Sequence, residues 1–323
     1  MAVLGGAASA SGAFDSIMIY GISHMQGIGG LKAWQWTFLL ESLPNIPLGI
    51  FAYLLLDKVP NAVQWLSNME KQFLTNLLRN DAGVADNELS SDSRLSKRQM
   101  LNVFTDWRIY LYSLIGLGNL IAVKCMTTLL PTLVTAAGYT KTQTHLITAI
   151  PYVFACICGI LIGYSSSRRN EHGYHLILCF LVVLLGFILI LTLPGQSKVT
   201  IIISTTVVCC GIFSALPLLL SWLTNNVGGH TKRSMAISLV MGIGQIGGIF
   251  QPLIYRDVDG PTYRRGHLIC SAMILVSIIT TIILRICLRK ENNRRENLSL
   301  EQYRREASIK ESCDLHPDAR YSL

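Results

Sequence analysis

Four polar residues lie inside long apolar stretches of this 323-residue chain, where a charge or an unpaired hydrogen-bonding group is costly. Lys124 could capture a carboxylate through its ammonium group, and Thr128 lies one helical turn further along the same face. Asp15 could take up and release a proton, and Gln245 could hydrogen-bond a polar ligand. These residue types indicate anion recognition and proton exchange rather than a catalytic cluster.

Each of these residues also has a structural interpretation, and the sequence leaves both open. Lys124 could extend its aliphatic stem so that the ammonium reaches the membrane surface. Asp15 could be paired and purely structural, which is the commoner role of such acids. Gln245 could form a buried hydrogen bond between helices. Glu41 lies near one end of its apolar segment, and we expect it to pack or to cap there.

These residues are carried by eight apolar segments, each close to the roughly 20 residues that a helix needs to cross a bilayer. Hydrophobic residues make up 51% of the chain, charged residues make up 14%, and the mean hydropathy is +0.44. The chain is therefore predicted to be an all-α, multi-pass membrane protein. The segments are Ala2–Ile22, Trp36–Leu56, Ile109–Leu130, Leu146–Tyr164, Leu176–Leu193, Val199–Trp222, Ile237–Ile254 and Leu268–Leu288.

Several function classes are not supported by the sequence. The nine cysteines lack the spacing and the His or acidic neighbours of a metal site, and most of them fall inside apolar segments. No Ser-His-Asp, HExxH, P-loop or Rossmann pattern occurs in a plausible context. We therefore expect no enzyme activity, no cofactor and no metal. The net charge of +8 is better explained by membrane topology than by nucleic-acid binding.

Lys and Arg are enriched in alternate linkers, which predicts the orientation in the membrane. Basic residues are more frequent in the loop Asp57–Trp107, in the linkers after the fourth and sixth segments, and in the tail. The positive-inside rule then places both chain ends and the Asp57–Trp107 loop in the cytosol.

The segments divide the chain into four predicted regions. Residues 1–56 form a pair of helices, residues 57–107 a long cytosolic loop, and residues 108–290 a block of six helices. Within the loop, apolar residues from Ala62 to Leu77 recur at helical spacing, which indicates an amphipathic helix on the membrane surface. Residues 291–323 are highly charged, and we expect this tail to be disordered.

An ordered set of short motifs runs through most of residues 1–290. The first half contains the segment from Trp34 to Pro44, an L-D-x-x-P stretch, and a D-W-R triplet before the six-helix block. The second half contains an N-N-x-x-G…T-K-R loop and a D-G-P-T-Y loop. The motif residues used below are Trp36, Glu41, Pro44, Asp57, Pro60, Trp107, Arg108, Asn226, Gly229, Lys232, Arg233, Pro261 and Tyr263.

In this order the motifs resemble those of the fungal allantoate permease family, also called the anion:cation symporters. The resemblance implies a major facilitator fold that lacks its first four helices, giving a 2 + 6 arrangement. That family moves small organic anions such as allantoate, nicotinate, pantothenate and biotin, generally with protons. This sequence departs from the family pattern at Gln35, Ser42, Lys124 and Gln245, which leaves the substrate open.

The resemblance thus implies proton-coupled transport of a small organic anion by alternating access, most simply across the plasma membrane. The alternatives are a truncated, non-transporting membrane protein that acts by associating with other subunits, and an incomplete gene model. In the major facilitator fold the cavity forms between two six-helix halves. We therefore expect residues 1–323 alone not to transport.

Overall fold

The computed structural model describes residues 2–55, 67–81, 97–192, 197–260, 262–307 and 316–323. Asp57, Pro60 and Pro261 from the motif set fall outside them. The regular structure within the described residues is helical. In chain order the helices are α1 (Ala2–Ser23), α2 (Ala33–Ser42), α3 (Asn45–Leu55), α4 (Asn68–Asp81), α5 (Lys97–Thr105), α6 (Trp107–Ala136), α7 (Lys141–Arg169), α8 (Gly173–Thr192), α9 (Lys198–Asn226), α10 (His230–Ile254), α11 (Arg264–Glu296) and α12 (Leu300–Ala307).

Seven helical stretches in the described residues are long and apolar enough to cross a membrane. Six of them correspond to α6 through α11, and the seventh is Ala33–Leu54, which comprises α2 and α3. The all-helical membrane fold predicted from the sequence is therefore confirmed. The remaining predicted segment, Ala2–Ile22, forms the 22-residue helix α1. It is rich in small residues and is not among the seven.

The predicted segment Trp36–Leu56 is divided into two helices at Pro44. α2 ends at Ser42 and α3 begins at Asn45. Proline has no backbone N–H and its ring clashes with the preceding turn, so a break at this position follows from the sequence. None of the residues in the most apolar part of Ala33–Leu54 is buried against the rest of the described chain.

Helices α6 to α11 form one packed block, and α1 lies against it. α6 contacts α9, α10 and α11, while α8 contacts α9 and α11. α1 packs along α7 and also touches α9. Tyr112 and Trp222 are fully buried in the core of the block, with their rings edge to face at 5.2 Å between centroids. Such aromatic pairs stabilise a core beyond the area that they bury.

Glycines allow α6 to approach its neighbours closely. A Cβ atom added at Gly118 would lie 2.8 Å from the carbonyl oxygen of Met273 on α11. A Cβ added at Gly116 would lie 3.2 Å from a side-chain carbon of Val240 on α10. Small residues have this role in membrane helices because close backbone approach increases van der Waals contact.

We expect Gly118→Ala to destabilise the block. The added methyl group meets a backbone oxygen, which cannot move without displacing α11. The cost of such overpacking is about 1–3 kcal/mol, and it should lower the thermal unfolding midpoint of the purified protein. Gly242→Ala is the matched control, because nothing lies within 4 Å of its added Cβ. Equal midpoints for the two variants would contradict the close contact between α6 and α11.

The end of the block where α6, α8 and α10 begin carries Arg108, Arg168, Arg169, Lys232, Arg233 and Arg295, and we call it the basic end. The sequence predicts disorder after Lys290, yet α11 continues to Glu296, α12 follows, and residues 316–323 pack against the basic end. Arg295 is only 5% exposed and bonds to Glu291 and Tyr321. The charged tail is ordered there because its polar groups find partners on the helices.

Candidate functional site

Lys124 lies on an exposed part of α6, beside α10. A Cβ atom added at Gly248 of α10 would lie 3.6 Å from Cγ of Lys124, so the lysine stem crosses a glycine on the neighbouring helix. Among the described residues, none forms an ion pair or a hydrogen bond with its ammonium group. A cation in an apolar segment without a described acidic partner is available to an anion or to the membrane surface.

Thr128 lies one turn after Lys124 on α6, and Gln245 lies on the neighbouring helix α10. The Thr128 hydroxyl donates to the backbone oxygen of Lys124 at 3.1 Å, so its oxygen is left as an acceptor. Gln245 is exposed on α10, one turn before Gly248, and forms no hydrogen bond with a described residue. The buried interhelical hydrogen bond considered above is thus not formed within the described part of the chain. The roles of all three residues stay predictions.

Asp15 and Glu41 bring two carboxyl groups together between α1 and α2. Their side chains are close enough to interact electrostatically, and neither residue is buried. The sequence leaves two interpretations of Asp15 open, a proton carrier and a paired structural acid, and its position beside Glu41 is compatible with both.

Asp106, at the start of α6, holds an ion-pair cluster at the basic end. Its side chain caps the helix by accepting from the Arg108 backbone N–H at 3.2 Å. Arg108 donates to both of its oxygens, at 2.8 and 2.7 Å, and Lys232 Nζ donates at 3.0 Å. The D-W-R motif and the T-K-R motif, 126 residues apart in the chain, thus meet at one carboxylate.

This cluster keeps Asp106 ionised. Burial alone would raise the pKa of Asp106, but the hydrogen bonds and charges of Arg108 and Lys232 outweigh burial and hold the pKa below its ordinary value. The carboxylate, Arg108 and Lys232 are mostly shielded from solvent, with side-chain exposures of 9%, 13% and 5%. The motif residues named in the sequence analysis include Arg108 and Lys232, but they do not include Asp106, which binds both.

We expect Asp106→Asn to lower the free energy of unfolding by about 3 kcal/mol at neutral pH, because it removes one partner of a buried ion pair. A depressed folded pKa contributes stability above the unfolded pKa of about 3.9, and this contribution is lost as the pH falls through the folded value. The difference between variant and parent should therefore be complete at neutral pH and shrink below about pH 4. Denaturant unfolding of the purified protein as a function of pH measures it.

Glu70→Gln is the control, since Glu70 accepts from the Ser67 N–H at the exposed start of α4. It should cost much less than Asp106→Asn, because its carboxylate is fully exposed to solvent. An equal loss of unfolding free energy in both variants would show that the Asp106 ion pairs contribute no more to stability than an exposed carboxylate does.

The remaining motif residues have structural contacts. Trp36 Nε1 donates to the Ile28 oxygen at 3.1 Å, and Arg233 Nε donates to the Val227 oxygen at 3.1 Å. Asn226 Nδ2 donates to the buried hydroxyl of Tyr112 at 2.8 Å. Trp107 is exposed at the start of α6. These contacts hold helix ends in place.

Two motif residues that directly precede helices have a positive φ. Gly229 precedes α10 with φ 85°, and Tyr263 precedes α11 with φ 44°. A positive φ is easy for glycine but costly for tyrosine, so Tyr263 must be held in place by packing. Its ring lies 6.0 Å from that of Tyr255, and it is mostly buried.

A cavity lies at the basic end, and Lys124 is not among the residues that line it. It has a volume of about 400 Å³, and its lining includes Asp106, Arg108, Lys232, Glu291 and Tyr321. Its polar residues are engaged with one another, as described for Asp106. Within the described residues, no group of three or more His, Cys, Asp and Glu side chains is arranged to hold a metal ion.

The chain is similar in sequence to several known transporters. It is 27% identical to the MFS transporter prlL of Fungal sp. (strain NRRL 50135) over 286 residues, which are 86% of this chain and 56% of that protein. It is 27% identical to the MFS-type transporter cnsO of Penicillium expansum over 335 residues, covering 99% of this chain and 63% of the relative. A putative tartrate transporter of Agrobacterium vitis is 25% identical over 266 residues, covering 81% and 59%.

The chain therefore spans less than two thirds of the length of these relatives. The sequence profile of the Major Facilitator Superfamily matches residues 1–252, which is more than half of the chain. With the all-helical fold and the seven candidate spans, this match shows that the chain belongs to the Major Facilitator Superfamily.

Proposed function

We propose that the protein transports a small organic anion by alternating access, and that it belongs with the allantoate permease type of this superfamily. Lys124 carries the proposal. Its ammonium group lies on an exposed face of a membrane-spanning helix, and no described acidic side chain neutralises it. A carboxylate substrate would supply the missing negative charge, and Thr128 and Gln245 would add hydrogen bonds.

The carboxyl pair of Asp15 and Glu41 supports proton coupling. The two carboxyl groups lie close enough to interact, and two such groups can in principle bind and release one proton together. The pair lies on α1 and α2, whereas Lys124 lies on α6. Substrate and proton would then bind to different parts of the fold and be linked through the movement of the helices.

The comparisons support an organic anion in one respect. One relative is named a putative tartrate transporter, and tartrate is a dicarboxylate. The motif set of the allantoate permease family adds the more specific expectation, because it includes residues in both parts of the chain. The predicted region boundaries, at residues 56, 107 and 290, belong to this proposal as well.

The proposed orientation has both chain ends and the loop before α6 in the cytosol, in the plasma membrane. The asymmetry of Lys and Arg supports it. Cysteines introduced at Ser90 and Asp259, in a chain without its native cysteines, would test it. We expect an impermeant maleimide to label the Asp259→Cys variant from outside intact cells and to leave the Ser90→Cys variant unlabelled. The reverse pattern would invert the topology.

Uptake of labelled compounds tests the substrate class. Cells that express the protein as its full gene encodes it should accumulate at least one member of a panel of small carboxylates, and acidification outside should increase the uptake. The neutral amides of the same compounds should enter at the background rate, because they cannot neutralise Lys124. Equal entry of acids and amides would refute the anion proposal.

A second candidate function is subunit association without transport. The observation in its favour is that the most apolar part of Ala33–Leu54 has no residue buried within the described chain. Such a surface could contact another membrane protein. Cross-linking in native membranes separates the two candidates. Association is favoured if the protein cross-links to a partner that it needs for its stability, and if cells that contain both proteins take up no carboxylate.

A further inference from the structure

The last residues of the sequence occupy a groove at the basic end of the six-helix block. Among the described residues, the side chains that line this tail groove include Arg108, His172, Trp222, Asn226, Asn292 and Arg295. They come from α6, α9, α11 and the turn between α7 and α8. The groove therefore joins helix ends that are distant in sequence, and its occupant is the segment Tyr321–Leu323.

The groove recognises the backbone of an extended peptide through two asparagine side chains. Asn292 accepts from the N–H of Tyr321 at 2.9 Å and donates to its carbonyl oxygen at 2.9 Å. Asn226 accepts from the N–H of Ser322 at 2.7 Å and donates to its carbonyl oxygen at 3.0 Å. Trp222 Nε1 donates to the same carbonyl oxygen at 2.8 Å. Two successive residues thus have their N–H and C=O groups paired by side chains.

Side-chain contacts select the occupant. The Tyr321 ring is 5% exposed and has guanidinium groups at 4.8 Å (Arg108) and 4.4 Å (Arg295) from its centroid. Arg295 also donates to its hydroxyl at 2.7 Å. Cation–π contacts and a charge-assisted hydrogen bond favour an aromatic hydroxyl at this position.

The turn between α7 and α8 completes the groove. The backbone oxygen of Leu323 accepts from the N–H groups of His172 and Gly173, at 2.8 and 3.2 Å. Nδ1 of His172 is hydrogen-bonded to the Ser322 hydroxyl at 3.1 Å, and Nε2 to that of Ser221 at 3.2 Å. Burial lowers the pKa of His172, and His175 lowers it further, so a neutral ring donates from one nitrogen and accepts at the other.

We propose that the tail groove is a peptide-binding site, and that residues 321–323 are its tethered and releasable occupant. The contacts are mainly hydrogen bonds, whose net contribution is about 0.5–1.5 kcal/mol each because water replaces them on release. Tethering raises the local concentration of the segment to about millimolar, which favours the bound state without strong intrinsic affinity. Occupied, the groove holds the ends of α6, α9 and α11 and the start of α8 in one arrangement.

Hydrogen exchange of the purified chain in lipid nanodiscs tests this proposal. In the intact chain the amides of Tyr321 and Ser322 should exchange slowly, since Asn292 and Asn226 accept from them. Asn226→Ala and Asn292→Ala should each raise exchange in residues 316–323 at least tenfold, while the amides of α9 and α11 remain protected. Asn225→Ala is the matched control, because its described side-chain contact is a 3.5 Å approach to His172.

A competition arm uses the unmodified chain and decides the question even if the variants unfold. An excess of the free peptide of residues 316–323 should accelerate exchange of the tethered segment, and the same peptide with Tyr321→Ala should not. Unprotected amides in the intact chain, no effect of the free peptide, or equal effects of Asn225→Ala and Asn226→Ala would each overturn the proposal.

Discussion

Lys124→Gln is expected to weaken uptake of the carboxylate substrate by about ten- to a hundredfold, seen as a rise in KM. A hydrogen bond to a charged group contributes about 1.5–3 kcal/mol, and 1.4 kcal/mol corresponds to a factor of ten. The substitution keeps the approximate length of the side chain and removes the charge. It should therefore leave the fold intact while removing the attraction for a carboxylate.

Two further variants make this result specific. Lys124→Arg keeps the charge and should retain more of the uptake than Lys124→Gln. Lys198→Gln is the matched control, because Lys198 lies at the start of α9, where it donates to the Gly138 oxygen and stacks on Tyr139. Kinetics are normalised to the amount of protein at the cell surface. An unchanged KM in Lys124→Gln would show that the ammonium only reaches for the membrane surface.

The positions of the spans could be predicted from the sequence, but their ends could not. A long apolar run follows from the thickness of the bilayer, so the six helices of the block were placed correctly. The predicted segment Ile109–Leu130 ends before Pro131, whereas α6 continues through this proline to Ala136. Hydropathy marks the part of a helix that lies in lipid, while backbone hydrogen bonding continues beyond it.

The contacts of the candidate residues depended on tertiary packing. The motifs indicated that Arg108 and Lys232 matter, but nothing local shows that both meet Asp106. The pairing of Asp15 with Glu41 likewise depends on how α1 and α2 cross. The contacts of residues 316–323 were missed because the charged composition of this region indicates disorder, whereas these residues are held by Asn226, Asn292 and Arg295 on distant helices.

The carboxyl pair leads to the second large effect, on the coupling of transport to protons. If Asp15 and Glu41 share the transported proton, Asp15→Asn should abolish accumulation driven by a pH gradient. An amide has no proton to exchange in this pH range, and it leaves the remaining carboxyl without its partner. Exchange of labelled for unlabelled substrate needs no net proton movement, so it should continue. A merely structural role would instead lower both activities and the amount of protein together.

The partner residue provides the decisive comparison. Glu41→Gln should give the same loss of accumulation as Asp15→Asn, and the double variant should be no worse than either single variant, because groups that act as one unit are strongly non-additive. Accumulation is measured in vesicles with an imposed pH gradient, beside exchange in the same vesicles. If the single variants keep pH-driven accumulation, or if their losses multiply in the double variant, the two carboxyl groups do not share the coupled proton.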